Sequence, residues 1–246
     1  MADQKLAIVT GAAGGIGAAI CQRLVADGYR IAALDLDDKG LAALSVKNGS
    51  AISVFPVDQT REGDVRALVE RIERELGPID ALVNVLGWTQ GTRFDQEDSA
   101  YWRKVVAINY EALLYVAQPV LKPMIARKRG KMVFIASDAG RTGTAGQAVY
   151  AGAKGAVIAF AKSLARENAR HNITVNCVAP GPTETPLFVK EQQANPEAIQ
   201  RILGAIPFRR AARPAEQAAA VSYLLSADAD YITGQTLSVS GGLTMM

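Results

Sequence analysis

The chain has 246 residues, 49% of them hydrophobic and 21% charged, a balance that suits one large domain with a substantial core and excludes a disordered chain. The net charge of +3 is mild and no basic run is interleaved with aromatics, which argues against nucleic acid as a partner. No apolar run of about 18 residues or more could span a bilayer, and the first residues carry no charged-then-apolar signal pattern, so a cytoplasmic protein without membrane attachment is expected.

Cys21 and Cys177 lack ligand-like spacing and read as small buried hydrophobes of a reducing compartment. His171 is the sole histidine and lies in the polar stretch 166–172. Neither a histidine-rich metal site nor a Ser-His-Asp mechanism fits that, and no metal is expected.

Residues 6–9 form a continuous apolar run of strand length, followed by Thr10-Gly11-Ala12-Ala13-Gly14-Gly15-Ile16-Gly17 and a helical pattern over 18–27 that Gly28 closes. Strand, glycine-rich turn and helix open a nucleotide-binding unit. Glycines let the backbone approach a pyrophosphate, and the helix N-terminus turns unpaired amides toward the anion. Gly11, Gly14, Ile16 and Gly17 are the candidate contacts. The second strand, 29–34, ends at Asp35, about 20 residues beyond the glycines. A carboxylate there can accept from both hydroxyls of an adenosine ribose and repels a 2′-phosphate. With Gly14 in the turn and Leu36 after Asp35, this favours NAD over NADP; the alternative is a solvated acidic loop, since Asp37 and Asp38 follow.

A third strand, 51–57, is closed by Asp58, placed to meet an adenine amino group. The helix 63–76 carries Val65, Leu68, Val69, Ile72 and Leu76 on one face and stops at Gly77-Pro78. Strand four, 79–83, runs into Asn84-Val85-Leu86-Gly87, and a long helix around 101–127 contains Asn109. A fifth strand, 131–136, leads to Ser137. If the small-residue run 148–165 is a helix, Tyr150 and Lys154 project from one face, one turn apart. A free phenol has a pKa of about 10, and a neighbouring ammonium lowers it by stabilising the phenolate. With the Ser137 hydroxyl, the pair would exchange a proton with a substrate oxygen, although such a pair taken alone is also an ordinary surface feature. Strand six, 173–178, ends at Ala179-Pro180-Gly181. The rhythm predicts an α/β fold: a single-domain, Rossmann-type, doubly wound parallel sheet over 1–246, with helices on both faces and a ligand crevice at the strand C-termini.

Thr10-Gly11 through Gly17, Asp35, Asp58, Asn84 through Gly87, Asn109, Ser137, Tyr150, Lys154 and Pro180-Gly181 together resemble the short-chain dehydrogenase/reductases of about 250 residues, over essentially the whole chain. The resemblance implies an NAD-dependent oxidoreductase interconverting a secondary alcohol and a ketone. Tyr150 would be the acid/base, with Lys154 lowering its pKa and binding the nicotinamide ribose. Ser137 would hold the substrate oxygen, and Asn109 would anchor a water linked to Lys154. Pro180, Gly181, Thr183 and Thr185 would hold the nicotinamide end of the cofactor. The family commonly has Asn-Asn-Ala-Gly where this chain has Asn84-Val85-Leu86-Gly87, so a side-chain brace near the adenosine ribose is expected to be lost.

A narrower similarity covers 135–139, 147–151, 179–185 and 232–245. It is to the subgroup of 2-hydroxycyclohexanecarboxyl-CoA dehydrogenase and 3-oxoacyl reductases, and it implies a β-hydroxyacyl thioester or a cyclic alcohol as substrate. Residues 182–207 leave the strand–helix rhythm and are expected to form a substrate lid. Trp88, Thr89, Gln90, Arg93, Arg141, Thr142 and Gln147 border the expected crevice. Arg93 or Arg141 would be available to a carboxylate or a CoA phosphate, and Arg209, Arg210 and Arg213 form a basic cluster, although each is more readily read as a solvated arginine. Alanine-rich helices and the apolar tail 243–246 imply, by the resemblance, a homotetramer. The alternatives left open are an NADPH-dependent 3-oxoacyl reductase and a non-catalytic dinucleotide-binding protein.

Overall fold

The computed structural model describes residues 4–246; the start expected to lack a leader falls partly on residues 1–3, outside it. Seven strands form one parallel sheet: β1 (Leu6–Thr10), β2 (Arg30–Asp35), β3 (Ile52–Pro56), β4 (Ile79–Asn84), β5 (Gly130–Ile135), β6 (Ile173–Pro180) and β7 (Thr236–Val239), in the order β3-β2-β1-β4-β5-β6-β7. Every residue of β1 is buried, as a strand covered on both faces requires. Leu6 and Ile8 join the core on one side, and Ala7 and Val9 join that on the other.

One face is covered by α3 (Glu62–Leu76), α5 (Ala112–Arg127) and α7 (Ala148–Asn168), the other by α1 (Gly15–Ala26), α2 (Asp38–Asn48) and α10 (Pro214–Leu225). In α3, Val65, Val69 and Ile72 are buried, with Leu68 and Leu76 packed against them, the face its periodicity gives. The long helix expected around 101–127 is two helices, α4 (Ser99–Val106) and α5, joined by a π turn over Ala107–Glu111 that carries Asn109. Such local widenings often mark functional positions.

The acidic stretch after Asp35 is not a loop: the Asp37 side chain accepts from the Lys39 N–H at 3.1 Å and caps α2, whose first residue is Asp38. A short α6 (Ala139–Thr142) follows Ser137, and residues 182–207 contain α8 (Pro186–Ala194) and α9 (Pro196–Ala205).

From β1 the chain winds outward through β2 and β3, then returns to lay β4 on the other side of β1. That reversal opens a crevice at the strand C-termini, where Thr10, Asp35, Asn84 and Pro180 close their strands and Ser137 follows β5 shortly after its end.

Candidate active site

The glycine turn is shaped by close approach. A Cβ on Gly17 would stand 2.0 Å from the Gly11 carbonyl oxygen, so no side chain fits without opening the turn. Gly14 precedes α1 without any side-chain cap, so the first amides of the helix remain for an anion. This donor set and its bare backbone suit a pyrophosphate. Ile16 is half-buried in the first turn of α1.

Beside the turn, the Asp35 carboxylate accepts from the Ala13 N–H at 2.9 Å and from the Asp37 N–H at 3.0 Å, one bond to each oxygen. A cavity of about 580 Å³ opens here, with Asp35, Leu36, Asp58, Gln59, Gly87 and Trp88 in its walls. Asp58 accepts from the Thr60 N–H (3.0 Å) and hydroxyl (2.6 Å), both on Oδ1, and these bonds hold its pKa below the usual carboxylate range.

The altered segment after Asn84 keeps a brace of another kind. The Thr10 hydroxyl donates to Asn84 Oδ1 at 2.9 Å while accepting from the Val85 N–H at 3.1 Å, tying β1 to the segment without a second asparagine. Gly87 marks where the two halves of the site meet: a Cβ there would lie 3.1 Å from both Lys154 Nζ and Asn109 Oδ1.

Asn109 is fully buried. Its Nδ2 donates to the Trp88 carbonyl (2.6 Å) and the Val105 carbonyl (2.9 Å), and its Oδ1 accepts from the Trp88 N–H (3.1 Å). The side chain therefore pins the Trp88 loop. Both amide hydrogens are used, which leaves a second lone pair on Oδ1 for the water expected beside it.

Ser137, Tyr150 and Lys154 come together behind that loop. The Ser137 side chain lies close enough to the Tyr150 hydroxyl to draw its pKa down, and Ser137 Oγ accepts from the Ala139 N–H at 3.2 Å. Lys154 Nζ donates to the Ile135 carbonyl at 2.9 Å and sits 5.8 Å from the centre of the Tyr150 ring. The expected lowering of the Tyr150 pKa is not what this arrangement yields. Burial raises it, with the neighbouring Ser137 side chain acting the other way. Burial in turn pulls Lys154 down to about 8.

The remaining candidates divide. Thr185 lies against the glycine turn, 3.0 Å from where a Cβ on Gly15 would sit, and its hydroxyl oxygen caps α8 by accepting from the Phe188 N–H at 3.2 Å. Its proton is left to donate. Thr183 is instead buried, donating to the Gly181 carbonyl (2.9 Å) and accepting from Gln217 Nε2 (3.2 Å), so its hydroxyl is a brace behind Pro180 and Gly181 and not a free ligand group.

Arg141 is also spoken for, donating to Ser238 Oγ at 2.8 Å and to the Met246 carbonyl at 2.5 Å. Arg93 pairs with Asp95, and Arg210 and Arg213 with Glu216, which removes much of the apparent basic cluster. His171 is half-buried beside Arg170, away from the site. Among the described residues, no group of three or more His, Cys, Asp or Glu is placed to hold a metal, and no helix is long and apolar enough to cross a membrane. Gln59, adjacent to Asp58, is a cavity residue that sequence reasoning passed over; a glutamine after a strand carries no signal of burial.

A family profile described as enoyl-(acyl carrier protein) reductase matches residues 11–244. The chain is 41% identical over 251 residues to an acetoacetyl-CoA reductase of Acinetobacter sp. (strain RA3849), covering 100% of both. It is 42% identical over 248 residues to nodulation protein G of Azospirillum brasilense, covering 98% of both. Among solved structures it is similar to an actinorhodin polyketide ketoreductase variant with NADPH, at a TM-score of 0.93 and 34% identity, covering 98% of this chain and 97% of that one.

Proposed function

The chain belongs to the short-chain dehydrogenase/reductase family and is an oxidoreductase acting on a hydroxyl or keto group, and from that premise we propose that it interconverts a secondary alcohol and its ketone with NAD(H). The observation that carries the proposal is Tyr150 beside the Ser137 side chain, with the Lys154 amine 5.8 Å from the centre of its ring and that amine lying against Gly87, which lines the cavity. When bound, the nicotinamide supplies or takes up a hydride at the carbinol carbon.

Tyr150 gives its proton to the substrate oxygen in reduction and removes it in oxidation. Ser137 donates to the same oxygen and fixes its direction. Lys154, charged below about pH 8, favours the phenolate once Tyr150 has given up its proton. Its ammonium, with Thr185, would hold the nicotinamide half of the cofactor, while the α1 N-terminus and Asp35 would hold the rest. A binding module needs no such proton donor, which weighs against a non-catalytic role.

Asp35 supports NAD. With both oxygens held by main-chain amides it is not free to swing away from a 2′-phosphate, and charge repulsion there is costly. NADPH is the second reading, favoured by Lys104, whose ammonium stands in the same cavity wall 4.1 Å from the centre of the Trp88 ring, and by the NADPH of the ketoreductase neighbour.

For substrate we propose a β-hydroxyacyl or β-ketoacyl thioester. The name of the acetoacetyl-CoA reductase relative supports it, as do the apolar side chains exposed on α8 and α9, among them Leu187, Val189 and Ile202, in a segment proposed to close over the acyl chain. A cytoplasmic homotetramer remains the proposed setting. Rates at the NADH absorbance band with NAD or NADP, against β-hydroxyacyl-CoA esters and cyclic alcohols, test all of this. NADP preference would overturn the reading of Asp35, and dinucleotide binding without turnover of any substrate would favour the non-catalytic alternative.

A further inference from the structure

We infer that Asp138, through the hydrogen bond its carboxylate takes from Ser238 on β7, is a positioning residue for Ser137, and that this bond fixes where the Ser137 hydroxyl stands against the substrate oxygen. The inference rests on the role given to Ser137 above and adds the support beneath it. Residues 137–142 form one hydrogen-bonded unit. Ser137 Oγ accepts from the Ala139 N–H at 3.2 Å, the Ser137 carbonyl from the Gly140 N–H at 3.0 Å, and the Asp138 carbonyl from the Arg141 and Thr142 N–H groups at 2.9 and 3.0 Å. A unit closed in this way moves as a piece, so whatever anchors Asp138 also places Ser137. Gly140 sets the unit against α7, while Asp138 and Arg141 set it against β7, with Ser238 lying 100 residues beyond Asp138 in the chain.

The anchor on β7 has one possible polarity. Arg141 Nη1 donates to Ser238 Oγ at 2.8 Å, and Ser238 Oγ lies 2.5 Å from Asp138 Oδ1. A guanidinium cannot accept and a carboxylate cannot donate, so the serine hydroxyl accepts from Arg141 and gives its single proton to Asp138. Arg141 is held in its turn by the Thr236 carbonyl at 3.3 Å and the Met246 carbonyl at 2.5 Å, which fixes the side from which it reaches the serine. A network with a single arrangement sets a register that an apolar contact would leave looser. Stability does not explain it. Asp138 is only 5% exposed, and its Oδ2 is buried with no hydrogen-bond partner among the described residues. Burying a carboxylate on so few bonds disfavours the fold, where an apolar side chain would not. Departures of this kind belong beside functional groups, where orientation counts for more than stability. Here the functional group is the adjacent residue.

The test is a double-mutant cycle: kcat for acetoacetyl-CoA, with whichever of NADH and NADPH the protein uses faster, in wild type, Ser238→Ala, Ser137→Ala and the double variant. Ser238→Ala is expected to lower kcat about tenfold on its own. Once Ser137 is already alanine it should lower kcat by no more than about twofold, with dinucleotide affinity within about twofold throughout. Asp138→Ala removes the same bond together with the stranded carboxylate, so its kcat should fall as in Ser238→Ala while its Tm stays above that of Ser238→Ala. A merely structural contact would make kcat follow Tm. Amide hydrogen exchange over 139–142, measured without any ligand, should quicken in both variants. An equal loss of kcat in both backgrounds, unchanged turnover in Ser238→Ala and Asp138→Ala, or unchanged exchange overturns the inference. Ser137→Ala with normal turnover would overturn the role assigned to Ser137 itself, a different failure from an additive cycle. Should Ser238→Ala fail to fold, Asp138→Ala completes the same cycle.

Discussion

Lys154 Nζ donates to the Ile135 carbonyl at 2.9 Å, and that bond holds an ammonium against the end of β5, 5.8 Å from the centre of the Tyr150 ring. The amine therefore acts on the tyrosine through space and through whatever it holds in common with it. The hydroxyl itself lies beside the Ser137 side chain.

The first prediction separates these roles. Tyr150→Phe removes the proton donor and keeps the ring, and should lower kcat by about 10²–10⁴-fold with NAD affinity nearly unchanged. Lys154→Met should weaken NAD binding as well, because the amine is assigned to both tasks. Stopped-flow rates paired with calorimetric dinucleotide titration check this; a Tyr150→Phe enzyme with near-normal turnover would remove the proton-transfer assignment.

The pH profile follows from the direction of the two shifts. Burial pulls Lys154 down to about 8, so its charged form is present below that value and is lost above it, while Tyr150 is raised and stays protonated through neutrality. Carbonyl reduction should hold a plateau up to about pH 8 and decline above it, as the charge that favours the phenolate disappears. Alcohol oxidation, which needs the phenolate, should rise with pH from neutrality. The measurement is kcat/KM in both directions across pH 6–10, and reduction still on its plateau at the alkaline end would mean that Lys154 keeps its proton.

Asn109 gives a prediction about the loop. Two of its three bonds hold Trp88 at N–H and carbonyl and the third reaches the Val105 carbonyl, and Asn109→Ala would leave main-chain groups unpaired at about 1–3 kcal/mol. That corresponds to a fall in Tm of several degrees for a chain of this size. Trp88 emission should shift to the red as the loop loosens from α4. Unchanged emission together with a lower Tm would confine the role of Asn109 to the helix.

Much of this site was legible before any coordinates. Unbroken apolar runs such as 6–9 and 132–136 marked buried parallel strands, and the polar residues that end them marked the crevice. The spacing of Tyr150 and Lys154 put them on one face of α7 because helical period is a property of the backbone. What was not legible depends on partners distant in sequence. Arg141 is drawn to β7 by Ser238, nearly a hundred residues on, and Thr183 to Gln217. The π turn around Asn109 has no mark in composition. Helices α2 and α10 went unread too: α2 has only two buried side chains, Leu41 and Leu44, and α10 buries Gln217 and Ser222 with its apolar residues, so neither pattern announces a core face.

The last prediction concerns how closely the Ser137 loop lies on the helix that carries Tyr150. A Cβ on Gly140 would come 2.7 Å from the Gly155 nitrogen and 2.7 Å from the Lys154 carbonyl carbon, and neither of these backbone atoms can turn aside as a side-chain tip would. Gly140→Ala must therefore push α6 off α7, and Ser137, joined to α6 by the Ala139 N–H bond, moves with it. Overpacking of this kind costs about 1–3 kcal/mol, so the protein should still fold, with a lowered Tm. The larger effect should fall on kcat, because parting Ser137 from the Tyr150 hydroxyl disturbs the orientation of the substrate oxygen while the glycine turn and Asp35 remain intact for NAD. Turnover reduced at least about tenfold with NAD affinity within about twofold of wild type is the expected pattern. Normal turnover in a folded Gly140→Ala protein would show that the Ser137–Tyr150 contact does not depend on this close packing.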